Sequence, residues 1–280
     1  MQQTLCGDFR LEGIGLHTGA QVCVEVGPAP PGTGFVFERV DLAGSPRIPA
    51  HWAHVKRSPL ASCLEKDGVK VATVEHLLSA LFGLGVDNAL IRMDASECPV
   101  LDGSALLWCE AIFRVGICEQ DLPRKLLRGQ CSLREGERGL EWTPGEGLRL
   151  KVSTDFPWVG KEELEIVLSP AVYLDEVAWA RTFGFQHEIE ALHSAGLALG
   201  GSLENALVLG SDGPLNSEGL RGDGEIVRHK MLDLIGDLAL AGGRLQGCLV
   251  VERPGHAFTH GFLKAMAEAG AQHPSNESQN

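Results

Sequence analysis

Between Arg228 and Leu238 the apolar residues recur at a helical period. At about 100° per residue, Met231, Leu234, Ile235 and Leu238 share one apolar face. His229, Lys230, Asp233 and Asp237 fall on a polar arc about 100° wide on the other side. An earlier stretch, Thr73 to Phe82, follows the same logic. Leu77, Leu78, Ala80, Leu81 and Phe82 cover one side, and Glu75, His76 and Ser79 share a narrower polar one. Thr73 is the expected N-cap there, with Gly83 and Gly85 ending the helix. Further helices are predicted over residues 105–115, after the turn Asp102-Gly103-Ser104, and near 226–241 and 257–269, with a short one over 188–195. Strand-like runs occupy 21–26, 34–39, 69–72 and 89–93, then 130–134, 139–143, 148–154 and 163–168.

Strands followed by helices, twice over, predict an α+β fold of two similar domains. The expected boundaries are residues 1–122 and 126–270, with the polar stretch Glu119 to Lys125 as the linker. Residues 271–280 read as a polar, disordered tail.

Composition narrows the function classes. A chain of 280 residues with 44% hydrophobic and 22% charged residues is an ordinary globular protein. Its formal net charge of −13 argues against nucleic-acid partners and against a polybasic membrane anchor. No apolar run reaches the roughly 18 residues of a membrane span, and Met1-Gln2-Gln3-Thr4-Leu5 lacks the basic start of a secretory signal. The eight cysteines contain no C-x-x-C pair, so they read as reduced thiols of a cytoplasmic protein. Any bound metal must then be held by histidine and carboxylate.

His229 and Asp233, at i and i+4, can reach one point in space, and a nitrogen and an oxygen donor there suit zinc. An isolated H-x-x-x-D is more often an ion pair on a solvated face, so a third ligand has to come from elsewhere. His76 is the candidate that stands out, because Glu75 beside it could serve as general base to the attacking water. His256, after the strand-like run 247–252, is placed to act as an acid or to bind an anion, and His260 nearby could be mistaken for it. The residues by themselves thus point to a His/His/Asp metal hydrolase.

Several segments together resemble the UDP-3-O-acyl-N-acetylglucosamine deacetylases of lipid A synthesis. They are Gly13-Ile14-Gly15-Leu16-His17-Thr18-Gly19, Thr73-Val74-Glu75-His76-Leu77, Leu101-Asp102-Gly103-Ser104-Ala105, Arg181-Thr182-Phe183-Gly184-Phe185, Gly200-Gly201-Ser202, the His229 helix and Gly255-His256. They occur in family order over about residues 4 to 269. The resemblance implies two α+β domains, each a sheet with two helices, the helices packed between the sheets. It implies one zinc ion, with iron(II) an alternative in the cell, held by His76, His229 and Asp233. Glu75 becomes the general base, His256 the acid for the leaving amine, and Thr182 a hydroxyl for the oxyanion. Lys230 adds positive charge and Asp237 orients His256. Phe156 matches a position that stacks on uracil, with Trp158 able to share the role, and Arg253 one near the diphosphate. The segment from Phe183 to Leu203 matches an insert, about 183–204, that forms the acyl passage. Cys63 matches a cysteine near the metal in some relatives, for which simple packing is an equal reading. The implied enzyme is a cytoplasmic monomer with at most transient contact with the inner membrane surface. The alternatives are a zinc amidohydrolase of another N-acyl sugar or peptide, or a non-catalytic nucleotide-lipid binding protein.

Overall fold

Along the strand Gln21–Pro28, Val22, Val24 and Val26 are buried while Gln21, Cys23 and Glu25 are more exposed, the alternation of a sheet with one covered face. The computed structural model, which describes residues 1–58 and 60–270, builds two five-stranded sheets from strands of this kind. In the first the order is Phe9–Ile14, Gln21–Pro28, Ala89–Met93, Phe35–Arg39, Arg47–Pro49. In the second it is Cys131–Glu135, Arg138–Thr143, Gly247–Glu252, Leu148–Phe156, Gly160–Val167. Both sheets place their last strand in the centre, antiparallel to the second and parallel to the third. The repeat read from the order of elements is therefore a repeat of topology.

Helices α1 (Glu75–Gly83) and α2 (Leu106–Val115) flank the last strand of the first sheet in sequence. Helices α5 (Glu225–Leu238) and α6 (His256–Glu268) do the same in the second half, after two shorter helices, α3 (Pro170–Glu176) and α4 (Ile189–Ser194). Leu77, Leu78 and Leu81 of α1, Met231, Leu232 and Ile235 of α5, and Phe258 and Phe262 of α6 join residues of both sheets in one core. The corresponding helices of the two halves, α1 and α5, thus face each other between the sheets, as expected.

The segment from Phe183 to Leu203 closes over this contact. Phe183–Phe185 pairs in parallel with Leu207–Gly210, the 3-10 turn Gln186–Glu188 and α4 follow, and the chain then crosses to the first half. There Gly200 N donates to Leu16 O at 3.0 Å and Leu199 N to His17 O at 3.2 Å. A Cβ on Gly200 would stand 2.3 Å from Gly15 O, so only glycine permits this approach.

Five expectations need correction or completion. Thr73 does not cap α1: its backbone has a φ of 53° and its hydroxyl donates to Glu97 Oε1 at 2.9 Å. Glu97 also accepts from Thr18 Oγ1 and from the main-chain N–H groups of His17 and Thr18, and this carboxylate takes the Thr73 hydroxyl away from the helix end. The polar stretch from Glu119 is not linker at its start, because Ile117–Gln120 pairs with Gln2–Leu5. That pairing brings Cys6 and Cys118 within 5.2 Å (Cα to Cα) and joins them in a disulfide, so these two are not the free thiols expected; the other six are. Helix α3 and the small sheet around Leu207–Gly210 were not anticipated. Residues 271–280, read as a disordered tail, lie outside the described residues. Among the described residues no helix is long and apolar enough to cross a membrane.

Candidate active site

The polar arcs of α1 and α5 are not solvated. Glu75, His76 and Ser79 are buried on α1, and His229, Asp233 and Asp237 on α5: the two helices pack on each other, Tyr173 of α3 covers Ser79, and Ser62 and α6 cover Asp237. His76 and His229 stand edge to face with ring centroids 5.1 Å apart. Asp233 Oδ1 lies 3.3 Å from His229 Nε2 and 3.9 Å from His76 Nε2. The three side chains each offer one donor atom to a common point.

This set fits a divalent metal. The second nitrogen of His229, Nδ1, lies 3.1 Å from Ala180 O, which makes it the protonated one and leaves Nε2 with a free lone pair. His76 Nδ1 is buried without a hydrogen-bond partner among the described residues, and its Nε2 is too far from Asp233 for a hydrogen bond. Burial holds both rings neutral, pushing His76 down to about 3 with help from His229, and lowering His229 as well. Burial works against the Asp233 carboxylate, but Lys230, His229, His256 and His76 outweigh it and hold that carboxyl below its usual range. Lys230 Nζ is 2.7 Å from Asp233 Oδ2. Two neutral imidazoles and a carboxylate, from two helices, are the kind of three-ligand set that catalytic metal sites use.

Glu75 and His256 face each other beside this point. His256, the first residue of α6, has Nε2 3.6 Å from Glu75 Oε1 and 3.9 Å from Asp233 Oδ2. Its Nδ1 donates to both Asp237 oxygens at 3.0 Å. Burial raises the Glu75 carboxyl to about 7, against the pull of His256. Burial also disfavours a charged His256, yet the carboxylates of Asp237, Glu75 and Asp233 overcome it and raise the imidazole to about 10. Near neutral pH the site therefore holds a titrating carboxyl opposite an imidazolium, the complementary pair that acid–base catalysis needs.

Phe183 borders the cluster, and Thr182 precedes it. Thr182 N donates to Gly103 O at 2.7 Å, tying the segment to the turn of the first half. Arg181 just before it is buried, with Nε 2.8 Å from Glu225 Oε1 and Nη1 2.6 Å from Glu218 Oε1. Phe183 lies edge-on to His229 at 6.1 Å and under Lys230 Nζ at 5.2 Å. From it an aromatic line runs through Phe156 (5.3 Å) and Phe185 (5.9 Å from Phe156) to the exposed Trp158 (5.9 Å from Phe185). Leu203, at the far end of the segment, is exposed. Arg253 is engaged by Asp155 at 2.8 Å and Glu137 at 3.0 Å. Cys63 is half-buried, its thiol pushed up mainly by burial, and it does not join the histidine and aspartate donors.

One residue of this site escaped sequence reasoning altogether. Ser62 is fully buried, donates its main-chain N–H to Glu75 Oε2 at 3.0 Å, and places its hydroxyl against Asp237, His256 and His260. A lone serine in Leu60-Ala61-Ser62-Cys63 carries no periodic or motif signal that could have found it.

Comparison with known proteins finds a matching family and a similar relative. The family described as "LpxC: UDP-3-O-acyl N-acetylglycosamine deacetylase" matches residues 2–268. A UDP-3-O-acyl-N-acetylglucosamine deacetylase of Cellvibrio japonicus (strain Ueda107) is 43% identical over 273 residues, covering 95% of this chain and 90% of that protein.

Proposed function

The chain belongs to the family of UDP-3-O-acyl-N-acetylglucosamine deacetylases, and on that premise we propose that it removes acetate from the UDP-linked acylated sugar as a zinc amidohydrolase. The observation that carries the reading is the convergence of His76, His229 and Asp233 beside the facing pair Glu75 and His256. When bound, a zinc ion polarises the amide carbonyl and makes water acidic enough to attack at neutral pH.

The chain's own residues do the rest. Glu75 takes a proton from the attacking water as its oxygen bonds to the carbonyl carbon. The Thr182 hydroxyl donates to the oxygen that becomes negative, and Lys230 adds compensating charge. His256 gives its Nε2 proton to the amide nitrogen, the carbon–nitrogen bond breaks, and acetate and the free amine leave. Asp237 holds the His256 ring through Nδ1 and keeps the positive form favoured.

Phe156 and Trp158 on the aromatic line offer faces for the uracil, and Phe183 to Leu203 the path for the acyl chain. Arg253 serves the diphosphate by exchanging one of its two carboxylate partners for phosphate, a bidentate contact its guanidinium suits. Cys63 packs beside Ser62 without ligating. Residues 1–122 and 126–270 act as two domains, each completing the other's half of the site. The enzyme works as a monomer in the cytoplasm and meets its lipid substrate in transient contact with the inner membrane surface.

Metal analysis joined to acetate release tests the proposal. About one zinc per chain is expected, with activity lost on chelation and regained with zinc. Full activity of the metal-free protein, or of His76→Ala, would overturn it.

A further inference from the structure

We propose that Ser62 is a positioning residue that fixes the general base and the general acid relative to each other. The inference rests on the roles given above to Glu75 and His256.

The two halves of Ser62 serve different partners. Its main chain brackets the start of α1: its carbonyl accepts from Val74 N at 3.4 Å and its N–H donates to Glu75 Oε2 at 3.0 Å. The other oxygen, Glu75 Oε1, is thereby left to face His256 Nε2. A carboxylate with one oxygen tied to a main-chain N–H loses its rotational freedom about the last bond, so Ser62 sets the direction in which Glu75 accepts a proton.

The hydroxyl serves the opposite partner. A serine hydroxyl has one hydrogen and two acceptor sites. His256 Nδ1–H already donates to Asp237, so one arrangement satisfies the whole cluster. Ser62 Oγ donates to Asp237 Oδ1 and accepts from His260 Nε2 at 2.9 Å. His260 Nε2 is also 3.3 Å from Asp237 Oδ1, and its Nδ1 is buried without a hydrogen-bond partner among the described residues. Asp237 is then held by two donors, Ser62 Oγ and His256 Nδ1, and the His260 N–H orients the serine hydroxyl from behind. With the carboxylate fixed in this way, the His256 ring cannot pivot about Nδ1, and Nε2 stays aimed at the reacting nitrogen. Because one buried residue makes both sets of bonds, a displacement of the base is transmitted to the acid. His260 acts in the same network, two bonds from the reacting atoms, and has no place in the chemistry itself.

The hydroxyl arm is the testable one, since substitution leaves the N–H in place. In Ser62→Ala, kcat should fall roughly tenfold or more, the loss typical of a hydrogen bond to a charged group. KM and zinc per chain should stay at the wild-type level. Ser62→Thr, which keeps the hydroxyl, should retain most of kcat. In an Asp237→Ala background the Ser62→Ala change should cost little more, because the group it acts through is gone. Should Ser62→Ala fail to fold, Ser62→Cys, nearly isosteric and a weak donor, carries the same comparison with Ser62→Thr.

Glu75→Gln and His256→Gln are measured in parallel. If both keep full activity, the acid–base assignment itself fails. If both lose it while Ser62→Ala keeps full kcat, only the role of Ser62 is overturned. The inference also fails if the Ser62→Ala loss comes with lost zinc or a raised KM, or if Ser62→Thr is no better than Ser62→Ala.

Discussion

Gly236 lies directly beneath the main chain of Glu75: a Cβ built on Gly236 would stand 2.2 Å from Glu75 O and 2.9 Å from its Cα. The turn of α1 that carries Glu75 rests on this gap in the surface of α5. Glycine in a helix interior costs about 1 kcal/mol relative to alanine, and here that cost permits the approach on which the site depends.

Gly236→Ala should therefore reverse the usual helix-propensity gain. The added methyl meets backbone, which cannot rotate away, so stability should fall by about 1–3 kcal/mol. Glu75 must move with the main chain, and kcat should fall further than the stability loss explains at temperatures where the protein stays folded. Denaturant midpoints and acetate release at 25 °C measure the two effects. A more stable, fully active variant would refute the close-packing account.

Glu75 and His76 are adjacent but have different jobs in the proposed mechanism, and two substitutions separate them. Glu75→Gln should keep its zinc and lose roughly 10²–10⁴ in kcat, the range for a general base. His76→Ala should lose metal affinity first. Metal content after dialysis discriminates: a Glu75→Gln protein that comes through empty would mean that the ligand and the base are exchanged.

The pH profile of kcat/KM should be a bell with both limbs assignable. In the proposed mechanism Glu75 acts as its carboxylate, so the rate falls as pH drops through its raised value of about 7, or lower once a cation beside it favours the charged form. His256 acts as its imidazolium, so the rate falls as pH rises through about 10. The residual rate of Glu75→Gln should lack the acidic limb and that of His256→Gln the alkaline one. A profile that only climbs with pH would remove His256 from the role of acid.

Arg181 and Glu225 are an ion pair with both side chains buried, and Glu225 also accepts from the main-chain N–H groups of Arg181 and Arg221. Glu225→Gln should cost about 3–5 kcal/mol, because it leaves a buried guanidinium short of its charge partner. Since Thr182 and Phe183 follow Arg181 directly, KM should rise as well. Chemical denaturation and steady-state kinetics check both, and a change below 1 kcal/mol would show that Glu218 alone suffices for Arg181.

The ligand helices were legible because a helix repeats every 3.6 residues, which puts His229, Asp233 and Asp237 on one stripe whatever surrounds them. The same pattern could not tell a solvated stripe from a buried one, since polar residues that face a metal site look like polar residues that face water. Phe183 and Thr182 were named only through resemblance, because a three-residue strand has too few positions for a period to emerge. Ser62 and the Cys6–Cys118 bond lay beyond reach for another reason. Both depend on residues more than 100 positions apart meeting across strand pairs or helix ends, and nothing local encodes such meetings.

The matching topology of the two sheets bears on how this enzyme fails. Its proposed metal donors are split between equivalent helices of two repeated halves, so the site would behave like one at the interface of a dimer whose subunits happen to share a chain. Slight undocking of the halves would scatter the donors while every helix and strand stayed intact. Turnover should then vanish before circular dichroism registers any loss of structure, making activity a gauge of how firmly the two repeats hold together.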